Sequence, residues 1–227
     1  LGELFETTLQ RCDWFTVTPQ SNDAAYTIRL SMGRSGSRHI KVTVKSGESR
    51  VLQFTETTGT STQRQAVYRA VDAIIKRLFG RPGLCSSRIA FVVKGNDRKE
   101  IFTCNFDGTG SKRITHNGSI STEPAWAPEG RQLVYTLYQN HRTATILADL
   151  EQNAQRRLAS FTGLNAGAEI SPGGSRMAVC LSRDDHVELY NVSLANPSSL
   201  MRLTEGRAVE SSPTWGPEGK RLCFVSD

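Results

Sequence analysis

Ser121-Thr-Glu-Pro-Ala-Trp-Ala-Pro-Glu-Gly130 is repeated later in the chain as Glu210-Ser-Ser-Pro-Thr-Trp-Gly-Pro-Glu-Gly219. A weaker copy, Gly167-Ala-Glu-Ile-Ser-Pro-Gly-Gly174, lies between these two stretches. The second proline of each full copy and the proline of the weak copy are 44 and 45 residues apart, at Pro128, Pro172 and Pro217. This constant step predicts an internal repeat over the C-terminal two thirds of the chain.

Each copy is followed by further landmarks in the same phase. An apolar run comes next, at Leu133–Leu137, Met177–Leu181 and Leu222–Val225. An Arg-hydrophobic-Thr motif recurs as Arg113–Thr115 and Arg202–Thr204, with Arg157-Leu-Ala159 at the equivalent place between them. A period in the forties that contains four short apolar runs is typical of a β-propeller blade.

The repeat predicts four antiparallel strands, a to d, in each blade. Strand a carries the Pro-x-Trp motif and ends at a Pro-x-Gly turn, where proline restricts φ and glycine adopts positive φ at little cost. Strand b is the apolar run, and strand d ends in the Arg-hydrophobic-Thr motif. The third strand, c, is predicted at Ile101–Phe106, Ala144–Leu150 and Val187–Val192.

Two of the predicted blades are complete and two are partial. Blade 1 has strands b to d at 88–115, blade 2 covers 122–159, blade 3 covers 166–204, and blade 4 begins at 211–226. Because an unclosed propeller has open sheet edges, we expect a longer protein in which a downstream segment supplies the missing strand a of blade 1. We also expect exposed apolar blade flanks near Trp126, Ile146 and Leu189.

Residues 1–80 predict a separate α+β domain made of a helix, an antiparallel meander and a second helix. Apolar residues lie on one helical stripe between Leu1 and Cys12, and they alternate with polar residues between Tyr26 and Phe54. A strong amphipathic pattern over 61–79 predicts the second helix, with Ser61 or Thr62 as its N-cap and Gly80 at its end. Residues 81–87 form the predicted linker to the propeller at 88–227.

The composition is that of an ordinary globular protein. Hydrophobic residues make up 37% of the 227 residues, and no apolar run is long enough to predict a transmembrane helix. The net charge is +6, but lysine and arginine are interspersed with acidic residues, so we predict a mixed solvated surface and no nucleic-acid site.

The five cysteines have no Cys-x-x-Cys spacing, which argues against a zinc site. We interpret them mainly as small buried hydrophobes. One disulfide is compatible with an oxidising compartment, and the sequence does not identify the pair.

The common catalytic motifs are absent from the sequence. It contains neither a Gly-x-Ser-x-Gly elbow nor a His-Glu-x-x-His helix. Gly108-Thr-Gly-Ser-Lys112 lacks the Walker spacing and follows Asp107, so it predicts a β-turn. The histidines are predicted in turns or at strand starts: His39, His116, His141 and His186. We therefore predict no enzyme activity, no catalytic residue, no cofactor and no metal.

The segments that lead into the a strands are the best candidates for a binding face. They are Ile120–Glu123, Leu164–Gly167 and Val209–Ser212, and we predict them as loops. Innermost strands of a propeller run in the same direction, so these loops are expected to gather at one mouth of the channel. The recurring Trp126 and Trp215 are expected to pack between blades.

Three features together resemble the TolB family, the periplasmic component of the Tol-Pal system. They are the amphipathic helix that runs into Leu78-Phe-Gly80, the stretch Ser87-Arg-Ile-Ala-Phe-Val92, and the repeated Pro-Ala-Trp-x-Pro-x-Gly motif. The resemblance covers nearly the whole chain and is most specific over 61–227. It implies a six-bladed propeller in the full protein, of which this chain contains about half of the ring.

The resemblance also implies a function. It implies a non-enzymatic periplasmic scaffold that binds the peptidoglycan-associated lipoprotein Pal on one propeller face and supports outer-membrane integrity and constriction at cell division. A segment upstream of Leu1 would contact TolA. The Pal-facing residues, carried over by position, are Thr122, Glu123, Asn165, Gly167, Ser211 and Ser212.

Two alternatives remain open from the sequence. The repeats are also compatible with the propeller domain of a prolyl-oligopeptidase-type serine peptidase whose catalytic domain lies outside this chain. The second alternative is a sensor or surface protein that contains the same kind of repeat. The rest of the open reading frame distinguishes them, because a peptidase requires a downstream catalytic triad and a surface sensor an upstream membrane segment.

Overall fold

A computed structural model describes residues 1–18, 23–32, 39–57, 62–183 and 186–227. The chain divides into two compact units. The first unit contains Leu1–Ile89 and Cys104–Gly110, and the second contains Ala90–Thr103 and Ser111–Asp227. The domain bounds 1–80, 81–87 and 88–227 stay a prediction.

The secondary structure consists of two helices and sixteen strands within the described residues. The helices are α1 Gly2–Arg11 and α2 Gln63–Phe79. The strands are β1 Thr27–Met32, β2 His39–Ser46, β3 Ser49–Thr57, β4 Arg88–Lys94, β5 Lys99–Asn105, β6 Lys112–Arg113, β7 Ile120–Trp126, β8 Gln132–Gln139, β9 Arg142–Asp149, β10 Ala154–Ala159, β11 Asn165–Ile170, β12 Arg176–Arg183, β13 His186–Ser193, β14 Leu200–Arg202, β15 Glu210–Trp215 and β16 Leu222–Ser226.

In the first unit, α2 begins and ends where its sequence signals predict. The Thr62 hydroxyl accepts a hydrogen bond of 3.3 Å from the Gln65 N–H, which satisfies one of the free donors of the first turn. Gly80 adopts φ 68° and ends the helix with a bond from its N–H to Lys76 O. Thr62 is therefore confirmed as the N-cap, and the alternative, Ser61, lies outside the described residues.

The core of the first unit forms between α1, α2 and a three-stranded meander in the order β1-β2-β3. Burial alternates along β2, where every second side chain faces the core. The predicted helix-meander-helix order is confirmed. Its most buried apolar members are Ile40, Val42, Val44, Ala66, Val67, Tyr68, Ala70, Val71, Ile74 and Ile75.

The turn at Asp107 is also part of the first unit. Gly108 adopts φ 80°, as a tight turn requires, so the predicted β-turn is confirmed. The Asp107 carboxylate accepts hydrogen bonds from Tyr68 Oη at 2.8 Å and from Thr109 N at 3.1 Å. These bonds explain why Cys104–Gly110 groups with the first 89 residues.

The second unit consists of propeller blades. Blade 3 is a complete antiparallel sheet in the order β11-β12-β13-β14. Blade 2 has the order β7-β8-β9-β10, and one parallel pair, Lys99 with Ile120, joins its β7 to β5 of blade 1. Blade 1 contains β4, β5 and β6, and blade 4 contains β15 and β16. The predicted fold class, an α+β part followed by four-stranded antiparallel blades, is confirmed. The observed c strands, β5, β9 and β13, differ from the predicted ones by one or two residues at their ends.

Apolar cores fill the spaces between successive blades. Ile101 of blade 1 packs in one cluster with Leu133 and Ile146 of blade 2. A larger cluster joins Val134 and Leu147 of blade 2 to blade 3. Each blade covers the apolar face of its neighbour, so the blades pack face to face as two stacked sheets do.

The tryptophans pack between blades, as expected for this repeat. Trp215 of β15 packs against Cys180 and Leu189 of blade 3, and its indole Nε1 donates to Glu169 O at 3.1 Å. Trp126 packs in the cluster between blades 1 and 2.

The expectation of exposed flanks at Ile146 and Leu189 is wrong. Their side chains are 5% and 1% exposed, because a neighbouring blade covers each of them. Trp126 is only partly exposed. Exposed apolar residues lie elsewhere in the second unit, and they include Val93 of β4, which is 40% exposed, and Val225 of β16, which is 57% exposed.

A buried glutamate explains the Arg-hydrophobic-Thr motif. Glu188, at the start of β13, accepts hydrogen bonds from Arg202 Nη2 at 2.7 Å and Thr204 Oγ1 at 2.6 Å. Glu100 makes the same two contacts with Arg113 and Thr115 in blade 1. The motif therefore attaches the outer strand to the start of strand c.

The described helices are not suited to span a membrane. Neither α1 nor α2 combines the length and the apolar character that a crossing requires.

Candidate functional site

All six predicted binding residues lie at the start of the first strand of a blade. Thr122 and Glu123 belong to β7, Asn165 and Gly167 to β11, and Ser211 and Ser212 to β15. The prediction that these segments are loops is wrong. They already pair with strand b, with Ser121 opposite Leu137 and Ser211 opposite Val225. Strand a begins earlier than the Pro-x-Trp motif suggested because polar side chains do not prevent backbone pairing.

A β-bulge interrupts each of these strands at the same place. The register shifts between Thr122 and Ala125, between Ala166 and Glu169, and between Ser211 and Thr214, so that two residues face one in each case. Such a bulge bends the strand and redirects the side chains beside it. The bulges recur because the repeat recurs.

The first residue of every bulge has a left-handed backbone. Its φ is 55° at Glu123, 60° at Gly167 and 50° at Ser212. Only glycine adopts this region freely, so Glu123 and Ser212 are held there at a cost of about 1–2 kcal/mol each. We call Glu123, Gly167 and Ser212 the bulge row.

The bulge row is continuous from blade to blade. Glu123 Oε2 accepts a hydrogen bond of 2.9 Å from the Gly167 N–H and another of 2.7 Å from Thr136 Oγ1. At Gly167, a Cβ atom would lie 3.7 Å from the backbone nitrogen of Ser212 and 3.5 Å from Pro213 Cδ. Successive bulges therefore touch, and the row places the first bulge residue of each blade beside that of the next.

The six predicted binding residues differ in how accessible they are to a partner. Glu123 and Ser212 are exposed, whereas Thr122, Gly167 and Ser211 are half-buried. These five residues lie at one end of blades 2, 3 and 4. Their hydroxyl, carboxylate and backbone groups can accept and donate hydrogen bonds, which suits recognition of a polar protein surface.

Asn165 is different because its side chain is fully buried and occupied. Its Oδ1 accepts from Phe161 N at 2.8 Å, and its Nδ2 donates to Phe161 O at 2.8 Å and to Gly163 O at 3.0 Å. Its backbone N–H donates to Thr143 Oγ1 at 2.6 Å. Asn165 thus holds the segment that connects β10 to β11 in shape, and no part of its amide faces solvent.

Two features of this end of the blades were not predicted from the sequence. The first is an open cleft of about 580 Å³ between the β8–β9 turn and the segment before β11, lined by Ile120, Tyr138, His141, Arg142 and Leu164 among others. It combines apolar side chains with a cation and lies where the inner strands begin. The available sequence signal was the pair Asn140-His141, which forms a turn with positive φ at both positions.

The second unpredicted feature is Glu210, which precedes Ser211 and Ser212. It is 6% exposed, and its Oε2 has no hydrogen-bond partner among the described residues. Its Oε1 lies 3.3 Å from Ser226 Oγ. Burial, together with the smaller effect of the Glu123 and Glu210 carboxylates, raises the pKa of the nearby Cys180 thiol to about 12. Glu210 therefore places a buried carboxylate next to the bulge row.

Histidines and other possible ligands do not form a metal centre in the described part of the chain, where no three His, Cys, Asp or Glu side chains are grouped as ligands. His116, His141 and His186 are exposed, in a loop, a turn and a strand start.

Comparisons with known proteins identify a family for this chain. The family model "TolB beta propeller domain" matches residues 75–227. The Tol-Pal system protein TolB of Desulfosudis oleivorans is 36% identical over 128 residues, which cover 56% of this chain and 29% of that protein. The TolB protein of Anaeromyxobacter dehalogenans (strain 2CP-1) is 29% identical over 89% of this chain and 46% of its own length.

A solved structure has the same fold. The crystal structure of TolB from Acinetobacter baumannii matches all of this chain and 63% of its own, with a TM-score of 0.86 and 24% identity. The chain thus spans less than two thirds of the length of each of these three relatives. Because the family model matches well over half of the chain, the chain belongs to the TolB β-propeller family, as the sequence motifs predicted.

Proposed function

We propose that the full protein is a non-enzymatic protein-binding scaffold of the Tol-Pal system, located in the periplasm. One face of its propeller binds the lipoprotein Pal. Membership of the TolB family and the names of its relatives as Tol-Pal system proteins support this proposal. The observation that carries it is the bulge row, which aligns equivalent bulge residues of three blades at one end.

The binding surface consists of the accessible members of the group together with the adjacent cleft. Thr122, Glu123, Gly167, Ser211 and Ser212 contact the partner, and the cleft beside Tyr138 receives one of its side chains. Asn165 acts indirectly, because its buried amide keeps the neighbouring segment in place. Repeating blades suit this role, since each contributes a different side chain at an equivalent position.

The cellular role follows from the partner. By binding a lipoprotein that attaches to peptidoglycan, the scaffold supports outer-membrane integrity and constriction at cell division. A segment upstream of Leu1 contacts TolA. Binding of Pal and contact with TolA then lie on different parts of the full protein.

The test is a calorimetric titration of the full-length protein with the periplasmic domain of Pal from the same organism. We expect a one-to-one complex with a dissociation constant at or below the micromolar range. Substitution of Thr122→Tyr or Ser212→Tyr places a bulky ring on the proposed surface and should weaken binding at least tenfold.

Glu218→Tyr is the matched control. Glu218 is exposed in the turn at the opposite end of the strand that carries Ser212, so this variant should bind like the wild type. No binding by the folded wild-type protein would overturn the proposed partner. Wild-type affinity in both surface variants would overturn the proposed surface.

A further inference from the structure

The cleft beside Tyr138 has a cationic side and an apolar side. Arg142 supplies a positive charge, His141 adds an imidazole, and both side chains are exposed. Ile120 and Tyr138 supply the apolar side, and each of them is 36% exposed. Among the described residues that line the cleft, none is acidic. This combination suits a ligand group that carries a negative charge next to an apolar surface.

The Arg142 side chain has no ion pair and no hydrogen bond within the part of the chain that the structure describes. Other arginines of the same blades are engaged. Arg131 pairs with Glu151 at 3.5 Å, and Arg176 Nη2 donates to Gly219 O at 2.9 Å. The five N–H donors of Arg142 are thus available to a partner molecule.

The apolar side is a cross-strand pair. Ile120 of β7 lies directly opposite Tyr138 of β8, and side chains in such positions pack against each other. Partial burial, with a smaller effect of the Glu123 carboxylate, raises the pKa of Tyr138. The Tyr138 hydroxyl therefore keeps its proton and can donate a hydrogen bond at the edge of the cleft.

Hydrogen bonds hold the walls of the cleft in place. Ser119 Oγ donates to Tyr138 O, which fixes the end of β8. Thr143 Oγ1 donates to Gly163 O at 3.2 Å and accepts from Asn165 N at 2.6 Å. Because the walls are already ordered, a ligand group that enters the cleft loses little free energy to rearrangement of the protein.

The far wall of the cleft is anchored on the next blade. At Gly163, where φ is 86°, an added Cβ would lie 2.6 Å from Ser182 O of β12. Glycine is therefore required at this close approach. Leu164, which follows it and lines the cleft, accepts a hydrogen bond of 3.0 Å from Ser182 N. The cleft thus lies between blades 2 and 3.

The turn that carries the cation has an unusual backbone. Asn140 and His141 adopt φ values of 51° and 60°, a region that glycine occupies more easily. The chain nevertheless places two polar side chains there, immediately before Arg142. Residues held in this region are frequent at ligand-binding sites, where the surrounding structure stabilises them.

We propose that this cleft binds a carboxylate side chain of Pal that has an apolar neighbour in the same loop. Arg142 pairs with the carboxylate, because a planar guanidinium presents parallel N–H donors to its two oxygens. Ile120 and Tyr138 contact the apolar neighbour. The inference rests on the proposed binding of Pal and adds the chemistry that the cleft recognises.

The first experiment repeats the calorimetric titration of the full-length protein with the periplasmic domain of Pal. We expect Arg142→Gln to weaken binding by about tenfold or more, and Arg142→Lys to cause a smaller loss, since it keeps the charge without the planar fork. Arg131→Gln is the control, because Arg131 is also exposed but lies at the opposite end of β8. It should bind within about twofold of the wild type. Thermal unfolding confirms that each variant is folded.

A double-mutant cycle identifies the carboxylate. Each exposed aspartate or glutamate of Pal is replaced singly by asparagine or glutamine, and every Pal variant is titrated against the wild type and against Arg142→Gln. One replacement should weaken binding to the wild type by about the same factor as Arg142→Gln, with little further effect on that variant. Salt should also weaken the wild-type complex more steeply than the Arg142→Gln complex.

The outcomes separate this inference from the proposed function. No binding of Pal by the folded wild type would overturn the proposed function and this inference together. Wild-type affinity in folded Arg142→Gln would overturn this inference alone. A large loss in Arg142→Gln that is coupled to no acidic residue of Pal would also overturn it, because Arg142 would then act without a carboxylate.

Discussion

Glu123 Oε2 accepts a 2.9 Å hydrogen bond from the backbone N–H of Gly167, which occupies the equivalent bulge position on the next blade. The donor is the first residue of one β-bulge and the acceptor side chain belongs to the first residue of another. A side chain of one repeat thus satisfies a backbone group that the irregular geometry of the next repeat leaves free. The bulge row and the packing of blades 2 and 3 therefore stabilise each other.

Removing the Glu123 carboxylate should weaken this connection. We expect Glu123→Ala to lower the free energy of unfolding by about 1 kcal/mol, since a hydrogen bond to a charged group is lost at an exposed site. Urea unfolding of the chain measures the effect. The control, Glu129→Ala, alters an exposed carboxylate in the Pro-Glu-Gly turn and should stay within about 0.5 kcal/mol of the wild type. Equal effects of the two variants would contradict the role of Glu123.

Gly167 should tolerate a side chain poorly because of its backbone. A Cβ there would have ordinary contact distances, 3.5 Å or more, but φ is 60°. We therefore expect Gly167→Ala to destabilise the chain by about 1–2 kcal/mol. Gly173→Ala is a suitable control, because a Cβ at Gly173 meets no atom within 4 Å. Urea unfolding compares the two, and a neutral Gly167→Ala would mean that the bulge relaxes easily.

Asn165→Ala should be among the most destabilising single changes in blade 3. It removes the amide that satisfies Phe161 N, Phe161 O and Gly163 O in a buried site, and we expect a loss of about 3 kcal/mol. Denaturant unfolding gives the value. Asn96→Ala, at an exposed position, should be close to neutral. A similar small effect in both variants would show that water replaces the buried amide.

The buried Glu188 should make stability depend on pH. Burial tends to raise the pKa of Glu188, but hydrogen bonds from Thr204, Arg202 and the Gly206 N–H hold it below its usual value. A lowered pKa in the folded state means that the contribution is complete above the ordinary glutamate pKa, and is lost as the pH falls through the folded-state pKa.

We expect Glu188→Gln to destabilise the chain by about 2 kcal/mol at neutral pH, with a smaller difference from the wild type near about pH 3. Unfolding in urea across this pH range measures both values. Glu218→Gln, which removes an exposed carboxylate 3.6 Å from Lys220, should show little dependence. A Glu188→Gln difference that stays constant with pH would contradict the mechanism.

Native-state alkylation of the reduced chain should separate the thiols. Cys223 is exposed and Cys12 is partly exposed with a lowered pKa, so iodoacetamide should modify these two first. Cys180 should react only after unfolding, because burial raises its pKa to about 12. Peptide mapping over time gives the order. Modification of Cys180 as fast as that of Cys223 would show that blade 3 opens readily.

Local sequence signals predicted the regular elements well. The ends of α2 follow from Thr62 and Gly80, and the 44- and 45-residue steps between prolines locate the blades. The prediction succeeded because helix caps, tight turns and apolar alternation act within a few residues of each other. The strand ends at β5, β9 and β13 were less accurate because hydrogen bonding extends past the apolar pattern.

The candidate binding residues show where local signals stop. Their places at the blade starts followed from the repeat, but they form bulged strands and not loops. The sequence showed Asn165 only as a polar residue before a strand, and its complete burial depends on Phe161 and Gly163 folding around it. The positive φ of Glu123 and Ser212 has no local signal either, because neither residue type favours it.

The sequence by itself determined the kind of unit, its length and its turns, because proline, glycine and apolar spacing restrict the backbone where they occur. Only the tertiary structure decided which residues of different blades meet, such as Glu123 with Gly167 and Trp215 with Glu169. A single extra residue at a bulge changes which way the following side chains point, and a hydrogen bond between blades depends on that direction. Contacts between residues far apart in the chain follow from packing, which no short stretch of sequence specifies.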